Sequence, residues 1–331
     1  MEAERSKGML RFTVIWLGQI VSMLGTSMTQ FALMIWVWNH TRQATPTALM
    51  AFFGFVPMLL MSPIAGALVD RCDRKRTMLI GDIAGSIGTV SVLFLVSANS
   101  LQVWHLYILG FCLGVFGAFQ WPAYSSAITL MVDKKDYARV DSMMGIAEST
   151  AMIFGPSLGA VLLVFVKIQG VLIFDMFSFL FAICTLIAIA IPNPRKVGVV
   201  DKGVKGVFRD AAYGFTYIQS RPALLGLLMT FFFFNMAAQF GILVVSPMVL
   251  ARTGDNQMTL GLLMSMLGVG GLIGGILMAI WGGPKKRING LLGGMAMSII
   301  VGVTILHPSP YVWALGGFLM MITMPITNGC S

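Results

Sequence analysis

Long apolar runs separated by short polar segments dominate the chain. A helix needs about 20 apolar residues to cross a bilayer core of about 30 Å, whereas the strands of membrane barrels alternate apolar and polar residues over about 10 positions. The runs in this chain are longer than such strands and are apolar on all sides. They predict an all-α membrane protein with ten spans, at residues 12–38, 46–69, 77–97, 102–130, 142–166, 169–191, 222–250, 258–281, 288–306 and 310–331.

The composition supports a lipid environment for most of the chain. Hydrophobic residues make up 57% of the 331 residues and charged residues only 11%, against about 25% charged residues in ordinary globular domains. Water cannot solvate a surface this apolar. Glycine is also frequent, with 37 residues, and glycine allows membrane helices to approach one another closely. Together these values exclude a soluble, disordered or collagen-like protein.

The basic residues lie almost entirely on one side of the predicted spans. If the N-terminus is cytoplasmic, 19 of the 22 lysines and arginines fall in cytoplasmic segments, as the positive-inside rule requires. We therefore expect a multi-pass protein of the plasma membrane with a cytoplasmic N-terminus. Because the net charge of +9 is divided among short loops, we expect no nucleic-acid partner. The three remaining basic residues lie on the predicted outer side, at Arg42, Lys167 and Arg252.

A polar stretch divides the predicted spans into two unequal halves. Residues 192–221 begin with Pro-Asn-Pro and end in an apolar repeat at helical spacing, which predicts an amphipathic helix on the inner leaflet. We predict an N-terminal six-helix bundle at 1–191, a cytoplasmic linker at 192–221, and an incomplete C-terminal bundle of four helices at 222–331. The basic triplets at 74–76 and 285–287 each follow the second span of their half, and repeated halves are typical of transporters.

The segment after the second span combines a glycine, acids and several bases in a fixed order. Its glycine allows close helix contact, its first carboxylate can face an arginine or a helix N-terminus, and its bases hold the loop at the anionic inner leaflet. The segment resembles motif A of the major facilitator superfamily, G-x-L-x-D-R-x-G-R-K, which lies between spans 2 and 3. Asp73 departs from the glycine that many members have there. The residues of interest in this motif are Gly66, Asp70, Arg71, Arg74, Lys75 and Arg76.

Span 5 contains a second motif, built from proline and glycine. Proline interrupts the helical hydrogen-bond ladder and glycine leaves a smooth face, so this helix can bend and slide. Gly155, Pro156 and Gly159 match motif C of the superfamily's exporters, G-P-x-x-G-G, and Ala160 replaces the last glycine. In the resembled fold, spans 5 and 8 face each other. Span 8 supplies the glycines Gly268, Gly270, Gly271, Gly274 and Gly275.

The two motifs make the chain similar to the drug-exporting branch of the superfamily that includes macrolide efflux proteins. This resemblance implies the major facilitator fold, an all-α membrane architecture of twelve helices in two halves. Because ten spans are predicted here, we expect a C-terminally truncated chain. The resemblance is incomplete in one respect. The arginine of span 4 that the family ties to proton coupling is missing, since residues 102–130 contain no lysine or arginine.

Three carboxyl groups lie inside predicted spans, where burying a charge costs about 2.5 kcal/mol or more. Each is therefore a candidate for proton coupling. Glu148 is the first choice, because it lies on a face of span 5, shared with Gly155 and Gly159, that we expect to meet the other half. Asp82 can instead pair with the bases of motif A, and Asp175 lies near the outer end of span 6. A purely structural role is the alternative for all three.

Spans 1, 4, 7 and 10 line the central cavity in the resembled fold. The 26 methionines of the chain would make such a wall soft and adaptable, which suits bulky lipophilic substrates. Packing between helices is the alternative role for each polar or aromatic residue on these spans. The candidates for lining the cavity are Gln19, Gln30, Gln120, Trp121, Tyr124, Asn235, Gln239, Thr323 and Asn328.

The sequence favours a secondary active transporter over an enzyme. It contains no G-x-x-x-x-G-K-[ST] loop for ATP and no H-E-x-x-H, so we expect neither a cofactor nor a metal site. We expect a monomeric exporter of amphipathic drugs or similar small molecules that works by proton antiport with alternating access. Its partners would be the lipid bilayer, the substrate and protons. Two alternatives stay open, namely a siderophore or metabolite exporter of the same fold and a truncated membrane remnant that does not transport.

Overall fold

The protein is helical throughout the part that its structure describes. The computed structural model describes residues 2–69, 72–133, 136–191, 219–281, 304, 307 and 309–329. Within these ranges the chain forms eight α-helices and no strands, which confirms the all-α prediction. The helices are α1 (Glu2–Thr41), α2 (Ala44–Val69), α3 (Arg74–Ser97), α4 (Val103–Met131), α5 (Tyr137–Ala188), α6 (Pro222–Arg252), α7 (Gln257–Trp281) and α8 (Pro310–Gly329).

Helix α5 contains two of the predicted spans. Its 52 residues correspond to about 78 Å of helix at 1.5 Å per residue, more than twice the thickness of the bilayer core. Lys167 interrupts it with a left-handed φ of 57° and a ψ of −174°. This single residue lies between the predicted spans 142–166 and 169–191, so the two spans are the two arms of α5.

Two predicted elements lie outside the described residues almost entirely. They are the amphipathic helix within 192–221 and the ninth span at 288–306. Helices α6, α7 and α8 correspond to the predicted spans 7, 8 and 10.

The helices have the length and composition that a membrane requires. Six stretches in the described part of the chain are long and apolar enough to cross a bilayer, and a shorter apolar helix occupies Pro310–Thr323. Large apolar side chains such as Phe94, which is 71% exposed, cover the surfaces of these helices. Water would penalise this exposure, whereas lipid tails favour it. The six stretches are Gly8–Thr41, Ala44–Ser62, Arg74–Ser97, Val103–Met131, Met143–Ala188 and Gln257–Leu277.

Contacts divide the chain into two compact units. Unit 1 comprises Met1–Gly18, Ala48–Val140 and Phe179–Ile242, and unit 2 comprises Gln19–Thr47, Asp141–Ser178 and Leu243–Ser331. Each unit therefore draws residues from both predicted halves of the sequence. The predicted division at the linker stays a prediction.

Each unit is packed through its own contacts. In unit 1, the backbones of α2 and α4 approach closely, and a Cβ on Gly110 would lie 3.4 Å from the Gly54 nitrogen. In unit 2, nine buried residues from α1, α5, α6, α7 and α8 form one apolar cluster. This cluster, called the unit 2 core below, consists of Phe31, Ile35, Trp38, Ala160, Val249, Leu250, Leu260, Leu263 and Trp313.

Candidate functional site

The motif A residue that departs from the family pattern has a local structural role. Asp73 is the N-cap of α3, where its carboxylate accepts a hydrogen bond of 3.2 Å from the backbone nitrogen of Arg76. Aspartate is among the preferred N-cap residues because it satisfies an N–H group that has no partner within the helix. The Arg76 side chain is 83% exposed and its Nε lies 3.8 Å from Asp73. Asp70 and Arg71 lie outside the described residues.

The other bases of motif A are placed differently from one another. The Lys75 ammonium donates hydrogen bonds to the carbonyl oxygens of Ile187, at 2.9 Å, and Ile189, at 2.8 Å. These carbonyls end α5, and a cation at a helix C-terminus is favourable. Arg74 is buried, so its side chain is not available to hold the loop at the membrane surface in the way predicted for the motif A bases. Gly66 was predicted to allow close helix contact, but no atom of the described residues lies within 4 Å of the position that a Cβ on Gly66 would occupy.

Asp82 is completely buried in unit 1 and is paired with α4. Its exposure is 0%, and its Oδ1 accepts a hydrogen bond of 2.7 Å from Nε2 of Gln120. The helices are close enough here that a Cβ on Gly81 would lie 3.3 Å from the Gln120 amide carbon. Gln120 was predicted to line a cavity; the structure shows that it donates to a buried carboxyl group, and its role in lining a cavity stays a prediction. Tyr124, one turn further along α4, is also buried, and its Oη has no hydrogen-bond partner within the described part of the chain.

Asp175 is the second buried acid, and it belongs to unit 2. It is 1% exposed, and the Ser178 hydroxyl donates to its backbone oxygen at 2.7 Å and to its Oδ1 at 3.3 Å. Helix α1 passes close to this pair at Gly25, where a Cβ would lie 2.8 Å from the Asp175 carboxylate. The close approach of Gly25 indicates that Asp175 contributes to packing between α1 and the second arm of α5.

Glu148 differs from these two acids because its side chain is exposed. It lies on the first arm of α5, seven residues before Gly155 and hence on the same helix face. We expected this face to meet the other half of the sequence, but the structure places α1 against it. Gly155 abuts the side chain of Ser27, and a Cβ on Gly159 would lie 3.2 Å from the Met28 carbonyl oxygen. The expectation was wrong for both glycines, because residues without side chains let α1 come closer than any other helix.

Hydroxyl groups surround the proline of motif C. Pro156 has no N–H to donate to the helix, which weakens the ladder one turn earlier. Ser27 of α1 donates to the Ala151 carbonyl oxygen at 3.0 Å, and Ser265 of α7 donates to that of Ile153. Two neighbouring helices therefore supply hydrogen bonds to the weakened turn, which holds α5 between them.

Residues 155–159 also spell G-x-S-x-G, a pattern that occurs around the nucleophile of some hydrolases. That nucleophile sits on a sharp turn between a strand and a helix, whereas these residues lie inside α5. The Ser157 hydroxyl donates to carbonyls of its own helix, to Ile153 at 3.4 Å and to Phe154 at 3.3 Å. The surroundings of Ser157 are those of a packed helix rather than of a nucleophile.

The glycines of α7 are divided between two neighbouring helices. A Cβ on Gly268 would lie 3.0 Å from the Ile153 backbone of α5, and Gly270 and Gly274 face the carbonyls of Phe318 and Ile322 on α8. Around a Cβ on Gly271 or Gly275, nothing in the part of the chain that the structure describes lies within 4 Å. Helices α5 and α7 do meet, as the resemblance implied, but α7 uses a second row of glycines to pack against α8.

The structure places the remaining cavity candidates in varied surroundings. Gln19 is buried, whereas Gln30 and Trp121 are exposed. The Thr323 hydroxyl donates to the Met320 carbonyl oxygen of its own helix at 2.7 Å. A role of these residues in lining a cavity stays a prediction. The side chains of Asn235, Gln239 and Asn328 lie outside the described part of the chain.

One arrangement of charged residues was not predicted from the sequence. Asp255, in the turn between α6 and α7, accepts hydrogen bonds from Trp38 Nε1, at 2.7 Å, and from the Arg42 guanidinium. The hydrogen bond from Trp38, followed by that from Arg42, holds the pKa of the Asp255 carboxyl below its ordinary range. The available signal was that Arg42 is one of only three basic residues on the predicted outer side. Among the residues that the structure describes, no three His, Cys, Asp or Glu side chains form a group that could hold a metal ion.

Comparison with known protein families decides the family of the chain. The family model described as Major Facilitator Superfamily matches residues 15–331. The chain belongs to the major facilitator superfamily. Macrolide efflux protein A of Streptococcus pyogenes is 23% identical over 329 residues, which cover 97% of this chain and 79% of that protein. Multidrug efflux pump Tap of Mycolicibacterium fortuitum is 25% identical over 328 residues, which cover 92% of this chain and 76% of that protein.

A solved structure shows that the major facilitator fold extends over the whole chain. The crystal structure of a bacterial homolog of the human lysosomal transporter Spinster, inward-facing and unoccupied, has a TM-score of 0.65 at 15% identity. The match covers 100% of this chain and 75% of that chain. The predicted resemblance is therefore confirmed. Members of this superfamily are transporters, which confirms that the chain is not an enzyme. The apolar helices and the bacterial relatives support a multi-pass protein of the plasma membrane, with the bilayer and a small-molecule substrate as partners.

Proposed function

We propose that this major facilitator protein exports amphipathic small molecules, macrolides among them, from the cytoplasm. The observation that carries this proposal is the similarity to macrolide efflux protein A along nearly the whole chain. The similarity to multidrug efflux pump Tap supports a broader range of lipophilic substrates. Transport would proceed by alternating access, in which one part of the bundle rocks against the other around a site within the membrane.

We further propose that export is driven by protons and that Glu148 carries them. A proton carrier must exchange its proton with water or substrate during the cycle. Asp82 and Asp175 are buried and contact neighbouring helices, whereas Glu148 is exposed on a membrane helix. It also lies two turns before Pro156 and one turn before the helix turn that Pro156 weakens, so a change in its charge could be transmitted to the bend of α5.

Transport into proteoliposomes under an imposed pH gradient tests both statements. With a radiolabelled macrolide, the parent protein should accumulate substrate only when the gradient is present. Glu148→Gln should abolish this gradient-driven accumulation, because glutamine keeps the shape of the side chain but cannot exchange a proton. Asp82→Asn and Asp175→Asn serve as matched controls and should retain most of it. Full gradient-driven transport by Glu148→Gln would reject its role as the carrier, and no accumulation by the parent would reject export.

We propose a cytoplasmic N-terminus from the one-sided distribution of basic residues. Alkaline phosphatase fused after Asn99, in the turn between α3 and α4, should be active because the enzyme requires the oxidising outer compartment. The same fusion after Asp133, between α4 and α5, should be inactive. The reverse result would invert the proposed orientation. We also propose that the protein works as a monomer, which its molecular mass in detergent, measured by light scattering, would test.

A further inference from the structure

Three side chains meet at the end of unit 2 where α1 and α6 finish. Asp255 uses both carboxylate oxygens, accepting from Trp38 on Oδ1 and from Arg42 on Oδ2, and the Arg42 contact is also an ion pair. Trp38 and Arg42 lie on one short stretch at the end of α1, and Asp255 follows α6. We propose that these three residues, called the latch below, hold this end of unit 2 closed and that their separation opens it.

Two tight backbone turns bring Arg42 and Asp255 close to each other. Arg42 has a φ of 54° and Asp255 a φ of 64°, values that residues other than glycine adopt only seldom. The Arg42 nitrogen donates to the Trp38 carbonyl oxygen at 2.8 Å, and the Asp255 nitrogen donates to that of Leu250 at 2.8 Å. Both turns are therefore fixed to the ends of their own helices. Unusual backbone conformations of this kind concentrate at clamps and switch regions.

The latch is continuous with the unit 2 core. Trp38 belongs to both, because its ring packs in the core while its Nε1 holds Asp255. Leu250, which anchors the Asp255 turn, is another member of the core, and the Arg252 guanidinium lies 5.6 Å above the ring of a third member, Trp313. Moving Asp255 away from α1 would therefore disturb the packing of buried apolar side chains and admit water to them.

The proposal rests on the proposed alternating access, in which the bundle opens at one end at a time. Helix α1 comes from the first half of the sequence and the α6–α7 turn from the second, so this end cannot open while the latch is intact. The side chains of Arg42 and Asp255 are 56% and 34% exposed. An ion pair with this exposure is weak because water and salt screen it, which suits a contact that must break and re-form in each cycle.

The test measures access of water to the unit 2 core rather than transport. Val249, which is 0% exposed, is replaced by cysteine in a background whose four native cysteines are serine. The protein is placed in nanodiscs, where a water-soluble maleimide reaches both sides. We expect Asp255→Asn and Arg42→Gln each to speed up labelling of Val249→Cys about fivefold, as the upper range for exposed ion pairs allows. Trp38→Phe, which keeps an aromatic ring without the N–H, should speed it up about threefold.

Two control variants and a second reporter make the result specific. Lys167→Gln removes a basic residue from the same predicted side without touching Asp255 and should label at the parent rate. The charge swap Arg42→Asp with Asp255→Arg re-creates the ion pair but leaves Trp38 Nε1 without an acceptor at position 255. It should therefore label about threefold faster than the parent, as Trp38→Phe does, and more slowly than Asp255→Asn or Arg42→Gln. A second reporter, Ser100→Cys in the exposed α3–α4 turn, should label equally in every variant and corrects for the reactivity of the maleimide. Size-exclusion chromatography identifies any variant that has unfolded.

The latch is overturned if neither Asp255→Asn nor Arg42→Gln changes the labelling of Val249→Cys. It is also overturned if the charge swap labels as fast as Asp255→Asn and Arg42→Gln do. Labelling requires no substrate and no proton gradient. A normal latch response in a protein that fails to transport would therefore support the latch and reject the exporter, so the two proposals fail separately.

Discussion

The ammonium of Lys75 lies 2.9 Å from the carbonyl oxygen of Ile187, a residue 112 positions further along the chain. The Lys75 ammonium donates a second hydrogen bond to the Ile189 carbonyl oxygen, and the two bonds cap the C-terminal end of α5. A base of motif A thereby contacts the last span of the six predicted in the first half, within unit 1. Proximity to the membrane surface is thus only part of what this base does.

Removing the Lys75 charge should destabilise the protein, because the last carbonyls of α5 would lose a cationic partner. We expect Lys75→Met, which keeps most of the side-chain stem, to lower stability by about 1 kcal/mol. Arg76→Met is the matched control, since Arg76 is 83% exposed, and it should change stability by less than about 0.5 kcal/mol. Thermal unfolding of the purified protein in detergent measures both, and equal effects would contradict the assignment.

Two neighbouring glycines of α7, Gly274 and Gly275, should respond differently to the addition of a methyl group. A Cβ on Gly274 would lie 2.8 Å from the Ile322 Cα, whereas a Cβ on Gly275 would meet no described atom within 4 Å. Gly274→Ala should therefore destabilise the protein by about 1–3 kcal/mol through overpacking. Gly275→Ala should be neutral or stabilise it by up to about 1 kcal/mol, because alanine favours helix. Thermal unfolding compares the two variants, and the same change in both would show that α8 does not pack tightly here.

The pair formed by Gln120 and the buried Asp82 should behave as one unit in a double-mutant cycle. Gln120→Leu removes a donor from a buried acceptor and should cost about 1–2 kcal/mol, as hydrogen bonds between membrane helices do. Adding Asp82→Leu removes the acceptor as well, so the double variant should cost less than the sum of the single ones. Gln30→Leu, at an exposed position of α1, is the control. Strict additivity in reversible unfolding would argue against coupling.

The latch should be insensitive to pH across the physiological range. Because hydrogen bonds from Trp38 and Arg42 hold the pKa of Asp255 below its ordinary range, Asp255 favours the closed arrangement at every pH above that range. This contribution is lost only as the pH falls through the lowered pKa. The ratio of Val249→Cys to Ser100→Cys labelling should stay constant between about pH 5 and 8. A change of the ratio near pH 6 would assign the titration to another group.

The sequence predicts the helices well because each span must present about 20 apolar residues to lipid. Even the break at Lys167 falls between two predicted apolar runs. The helix faces are harder to predict. Gly155 and Gly159 were expected to meet the other half of the sequence, but α1 packs there, since an all-round apolar helix carries no periodic signal for its neighbours. By sequence, Asp73 is a departure from motif A, and only the structure shows that it is the N-cap of α3. The latch joins residues 213 positions apart through two turns whose geometry no apolar pattern encodes.

The two arms of α5 are joined by a single non-helical residue, Lys167, rather than by a loop. A loop of several residues would let one span move while its neighbour stays still, whereas one residue offers only two soft dihedral angles. Rotation about them can change the angle between the arms but cannot lengthen the path between their ends. Any displacement of the end of the arm that carries Glu148 and Pro156 therefore displaces the adjoining end of the arm that carries Asp175, so the two arms can change their mutual angle but cannot separate.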